Sequence, residues 1–224
     1  MRSIASLCAV AGLAIAGSAS ASVITTFSYS DLNGSYSPIN AMTGTFSAVA
    51  ANTASFQTGG DVSRTAAPSG TAQFDTGFMS LGTSADMQIT LSVVKTGLLE
   101  GTGSGTLVIT DIDGDTITAD IDGLWQSPGF GVVFFSGLMS NVYFNDNGAA
   151  DGTFNGVNGS FDMDMPGNPP YLGAFSQLYI RFGGGFFASA FTGQTVSADG
   201  QIVPAPGALA LVGVAGLMAR RRRA

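Results

Sequence analysis

Histidine is absent from the 224 residues, and the one cysteine, Cys8, lies near the start of the chain. Lacking histidine, the sequence has no imidazole general base, no serine triad of the usual form and no imidazole metal ligand. Lysine and glutamate are nearly missing as well, with Lys95 and Glu100 their only representatives. Surface helices draw heavily on those two residues, so their scarcity disfavours helix. Hydrolysis by paired carboxylates would have to use aspartates. The close strand pairs, Asp120 with Asp122 and Asp162 with Asp164, read as solvated neighbours rather than as acid and base, so an Asp-based hydrolase ranks behind non-catalytic roles.

What is present is glycine, at 32 residues, with much Ser, Thr and Asn and a hydrophobic share of 45%. That share can fill a core, and the glycines favour short strands joined by tight turns. No fixed-period repeat argues for a solenoid.

The two ends differ in character from the middle. Arg2, an apolar run from Ile4 to Ala16, and small residues at Ala19 and Ala21 make a secretory signal peptide over 1–21, an N-terminal signal helix cleaved after Ala21. Cys8 falls inside it without the upstream leucine of a lipoprotein box, so no thiol is expected in the mature chain. At the other end, Val203, Pro204, Ala205 and Pro206 are followed by an apolar segment and then by Arg220, Arg221, Arg222 and Arg223. Two prolines one residue apart stop any continuing element. Gly207 to Ala219 forms a helix if it meets lipid, but at 1.5 Å per residue it covers roughly 20 Å of a roughly 30 Å hydrocarbon core. It suits a transient anchor, with the arginines held on the cytoplasmic side.

This tail, 202–224, resembles the PEP-CTERM sorting signal of exported bacterial proteins, also labelled an ice-binding protein C-terminal domain. Ala205 stands where that family usually has glutamate, while Pro204 and Pro206 are in register. The resemblance implies recognition by an exosortase-like membrane enzyme, cleavage near the proline motif and release to the cell surface or extracellular matrix. Signal peptidase and, transiently, the inner membrane are the other expected partners. The resemblance covers the tail alone.

Removing both ends leaves a β-rich mature domain over 22–201 with three basic residues against fifteen acidic ones, a net charge of −12. Such a surface repels nucleic acid and suits solvation or divalent cations. Met87, Ile89, Leu91 and Val93 alternate with polar neighbours at the period of a half-buried strand. Thr106 to Leu124 reads as a hairpin about a two-residue Asp113-Gly114 turn, with Ile112 opposite Asp115 and Thr110 opposite Ile117. Asn158-Gly159 reads as a second such turn, pairing Phe154 with Met163. Further strands are expected over Val23–Ser30, Gly44–Ala50, Thr71–Phe78, Val132–Phe135, Val142–Phe144, Leu172–Phe182, Phe186–Phe191 and Gln194–Val203. The spacing predicts a single antiparallel β-sandwich or jelly-roll-like domain, with a flattened barrel as the alternative.

Asp111, Asp113 and Asp115 are candidate calcium ligands, since calcium takes oxygen donors from alternating aspartates in a turn. The run lacks the EF-hand spacing, and the two-residue turn would point Asp111 and Asp115 to opposite faces. Asn145-Asp146-Asn147 with Asp151 is a separate candidate. No other cofactor is expected. Trp125, Tyr171 and Tyr179 are the aromatics placed to stack on sugars, although completing the core is the simpler role. Only Thr116-Ile117-Thr118 has the Thr-x-Thr form of an ice-binding ladder. The preferred reading is an exported, non-catalytic surface or matrix protein of a Gram-negative-type envelope, structural or adhesive. The alternative is a secreted carbohydrate-binding module, calcium-dependent in one version, with extracellular polysaccharide as its partner.

Overall fold

The computed structural model describes residues 22–78, 86–129, 131–148, 150–180 and 185–205. The expected terminal helices, Ala19, Ala21, Pro206 and Arg220 to Arg223 lie outside them. Twelve strands are described: β1 (Thr25–Pro38), β2 (Thr43–Val49), β3 (Gly59–Arg64), β4 (Gly70–Phe74), β5 (Met87–Lys95), β6 (Glu100–Thr110), β7 (Thr116–Gly129), β8 (Val132–Asn145), β9 (Thr153–Asn155), β10 (Ser160–Asp162), β11 (Tyr171–Ile180) and β12 (Phe191–Val203). The fold is all-β and antiparallel. Among the described residues no helix is long and apolar enough to cross a membrane.

Ten strands form one sheet in the order β12-β11-β8-β7-β6-β5-β2-β1-β3-β4, and β12 also pairs with β1. That last pairing, Thr25 opposite Ile202 through Tyr36 opposite Phe191, closes an eight-membered ring. The distinction between two stacked sheets and one closed sheet therefore falls to the barrel alternative, because β1 and β12 satisfy each other's edge groups. β1 can serve three neighbours because it changes partner halfway: Thr25–Ser30 pairs with β3, and Asn33–Pro38 with β2. The joint is Asp31, a non-glycine residue at φ 59°. Its carboxylate accepts the Gln57 N–H at 2.6 Å, and its carbonyl accepts the Thr58 hydroxyl at 2.9 Å. Aspartate is among the few non-glycine residues that visit this left-handed conformation, and the bonds to Gln57 and Thr58 hold it there.

The period-two pattern places Phe46, Ile89, Leu91, Ile109, Ile117, Ile121, Phe135 and Val196 in the interior, all fully buried. Two inward glycines, Gly123 and Gly137, leave room for the Phe135 ring, which would lie 2.7 and 2.8 Å from added Cβ atoms. One expected break and one expected strand are absent. β8 runs unbroken through Ser136-Gly137, because Phe135 covers the glycine. Its irregularity falls instead at Asn141, φ 50°, whose amide donates to Asp120 at 2.8 Å. Phe186 to Ala190 is a turn rather than a strand: Phe187, φ 44°, drives its ring among Tyr36, Phe46, Trp125 and Phe191 at 4.7 to 6.3 Å.

Outside the ring, β9 and β10 form a small ribbon that bridges to β4 through Gln73 and Asn158. Phe154 pairs with Phe161, not with Met163 as a two-residue turn would require. Four residues, closed by the Gly156 N–H to the Gly159 carbonyl, make that connection, because Asn158 is held by its backbone to Gln73.

Candidate metal centre

The β6–β7 hairpin is one residue out of the expected register. Thr110 lies opposite Thr116, and Ile109 opposite Ile117. Of the Asp113-Gly114 pair only Gly114 takes a positive φ, at 105°, so the two-residue turn, which needs both, does not form. The loop widens to Ile112-Asp113-Gly114, closed by the Asp111 N–H to the Asp115 carbonyl at 3.0 Å. A slip of one residue turns every side chain of a strand to the other face. Leu107 and Ile109 point inward, and Asp111 comes to lie across from Asp115. The objection that these two aspartates diverge is thereby removed.

The wider loop is organised by Asp111. Its Oδ1 accepts the N–H groups of Asp113, Gly114 and Asp115 at 3.1, 2.9 and 2.9 Å, and its Oδ2 accepts the Asn155 N–H at 2.7 Å. Asp115 Oδ1 accepts the Gly148 N–H at 2.6 Å. Both residues are fully buried. Burial pushes the Asp111 carboxyl up to about 6 against the Asn155 N–H, which pulls it down. Burial also raises Asp115, opposed by the Gly148 and Asn147 N–H groups and assisted by the negative charges of Asp113 and Asp146.

The β8–β9 connection folds back over this turn, so the two acidic stretches that read as separate in sequence are one cluster. Asn145 and Asn147 donate their amides to the Thr116 hydroxyl at 3.3 and 3.1 Å, and Asn145 also reaches Thr118. Gly148 sits so close that an added Cβ would come 2.2 Å from the Asp113 carbonyl oxygen. Carboxylate oxygens of Asp111, Asp113 and Asp115 lie within 4.8 Å of one another, and so do those of Asp115, Asp146 and Asp151. Asp151 is exposed and its carboxyl is lowered, chiefly by the Thr153 hydroxyl. The Asn155 amide reaches both groups, 3.3 Å from Asp113 and 3.4 Å from Asp151. Nothing in the local sequence marks Asn155 or Gly148, because their importance arises from contacts with residues about 30 to 40 positions away.

The other candidates fall elsewhere. Asp120 and Asp122 stand exposed on the outer face of β7; Asp162 is exposed, and Asp164 forms an ion pair with the buried Arg64. Trp125 is fully buried with its indole N–H on the Ser92 carbonyl at 3.0 Å, and Tyr171 is buried with its hydroxyl on the Met165 carbonyl at 3.2 Å. Neither offers a face to a sugar. The Tyr179 side chain lies outside the described residues. Thr116 and Thr118 are engaged by the asparagine amides rather than presented as a free ladder. A second surface feature is an apolar depression of about 570 Å³ at the β5–β6 turn, lined by Leu98, Leu99, Glu100, Gln126, Pro128 and Phe134.

No protein-family model matches the chain, and no curated protein or solved structure matches it at a significant level.

Proposed function

We propose that the mature chain is an exported, non-catalytic component of the cell surface or extracellular matrix, brought there by its two terminal segments. One observation carries this reading: both ends of the folded body meet on one side of the closed ring. The Ile24 N–H donates to the Ile202 carbonyl at 2.8 Å, and Thr25 lies opposite Ile202. Cleavage after Ala21 and near Pro204 would leave every described strand pairing in place. The trim at the C-terminal side is close, since Val203 still pairs with Leu172 and Pro204 is buried. An interior filled by apolar side chains agrees with a body built to persist rather than to turn over a substrate.

Intact-mass measurement of the released protein tests the reading. Masses matching residues 22 to about 204 are expected; a released form that retains the arginine tail would defeat it. A carbohydrate-binding role has one feature in its favour, the depression at the β5–β6 turn, where Phe134 and the two leucines form an apolar floor beside Glu100 and Gln126. Glycan-array binding with and without calcium separates this reading from the structural one.

A further inference from the structure

We propose that the β6–β7 turn is a calcium site, in which Asp111, Asp113 and Asp115 hold the ion and Asp115 shares its charge with Asp146 and Asp151 of the β8–β9 connection. A group of acids alone would not argue this. What does is that two carboxylate oxygens of the group, Asp113 Oδ1 and Asp115 Oδ2, are buried without a hydrogen-bond partner. Asp115 itself has no exposed surface, and its carboxylate belongs to both groups of three that lie within 4.8 Å. A buried, unpaired carboxylate oxygen is strongly unfavourable, and here two of them lie among further negative charges. The described basic side chains do not relieve them: Arg64 is paired with Asp164, and Lys95 ends β5 at the far end of the barrel. A divalent cation between these oxygens would satisfy both atoms and the repulsion together.

The donor set selects among cations. All five side chains offer hard oxygen, which suits calcium or magnesium rather than zinc or copper. They come from two loops, and calcium accepts six to eight oxygens in flexible geometry whereas magnesium demands a near-ideal octahedron. The surroundings already orient the ligands, since Asn155 holds Asp113 and Asp151 while Gly148 holds Asp115. Binding would tie the hairpin to the connection that crosses it.

The test is thermal unfolding and titration calorimetry of the full chain with about 5 mM CaCl2, with MgCl2 and with EDTA, a range that covers the weak sites of extracellular modules. Calcium is expected to bind and to raise Tm, and Asp113→Asn is expected to weaken binding at least about tenfold. Asp115→Asn should do the same if it folds; Asp113 is only partly buried and is the safer variant. Asp122→Asn, an exposed acid on β7, should leave binding unchanged. No calcium binding at 5 mM, or binding that survives Asp113→Asn, would overturn the proposal. A response to magnesium equal to that to calcium would overturn the choice of ion.

Discussion

The two ends of β7 close the barrel by opposite means. At the Trp125 end, Phe46, Phe135 and Phe187 lie 4.8 to 5.1 Å from the indole, and the indole N–H donates to the Ser92 carbonyl. At the Thr116 end the chain is turned by carboxylates and backbone N–H groups, and buried charge is left over. Apolar closure depends on shape and area removed from water, so ions and protons should scarcely affect it. Polar closure depends on charge, so its strength should vary with solution conditions. One sequence therefore builds one insensitive lid and one responsive one.

The largest effect should come from breaking the first lid. Trp125→Ala would empty the centre of the aromatic cluster and lower stability by about 4 kcal/mol, read as a shift in the urea midpoint that is the same with calcium or EDTA. A strong calcium dependence of that loss would mean the two ends are not separate.

A smaller effect should appear at the polar end through Asp86, which precedes β5 and accepts the Thr110 N–H on its carbonyl. Burial raises its carboxyl from 3.8 to about 7, opposed by the N–H groups of Asp86 and Met87. The folded chain holds this proton more tightly than the unfolded chain. Its contribution is therefore fully present below pH 3.8 and is lost as pH rises to about 7. Asp86→Asn should match the parent near pH 4 and exceed it at pH 8 by about 3 kcal/mol, measured by denaturant unfolding at both pH values. Equal gains at the two pH values would show that Asp86 does not titrate with folding.

The smallest effect should be that of Asn155→Ala, which removes an amide that donates to Asp113, Asp151 and Thr153. Stability without calcium should fall by about 1 kcal/mol, while calcium affinity falls more, because the amide orients ligands. A loss of stability with calcium affinity intact would move Asn155 from the site to the scaffold.

The alternation of Met87, Ile89, Leu91 and Val93 could be read directly, because a strand's side-chain period is local and all four are buried. The β6–β7 register could not. Asp-Gly favours a two-residue turn, but four N–H groups converging on Asp111 make the wider loop the better solution, and one of them comes from Asn155 across the fold. Trp125 and Tyr171 look the same in sequence whether they cover a core or face a ligand. Their burial follows from which strands lie opposite.

Composition and period alone determined an all-β chain with a fillable interior, and the absence of histidine settled which chemistries its side chains lack. Both are properties of residues and their near neighbours. Closure of the ring by β1 and β12, the slip that sets Asp111 across from Asp115, and the union of two acidic stretches were decided only in three dimensions. Each rests on hydrogen bonds between segments far apart along the chain, whose formation depends on everything folded between them.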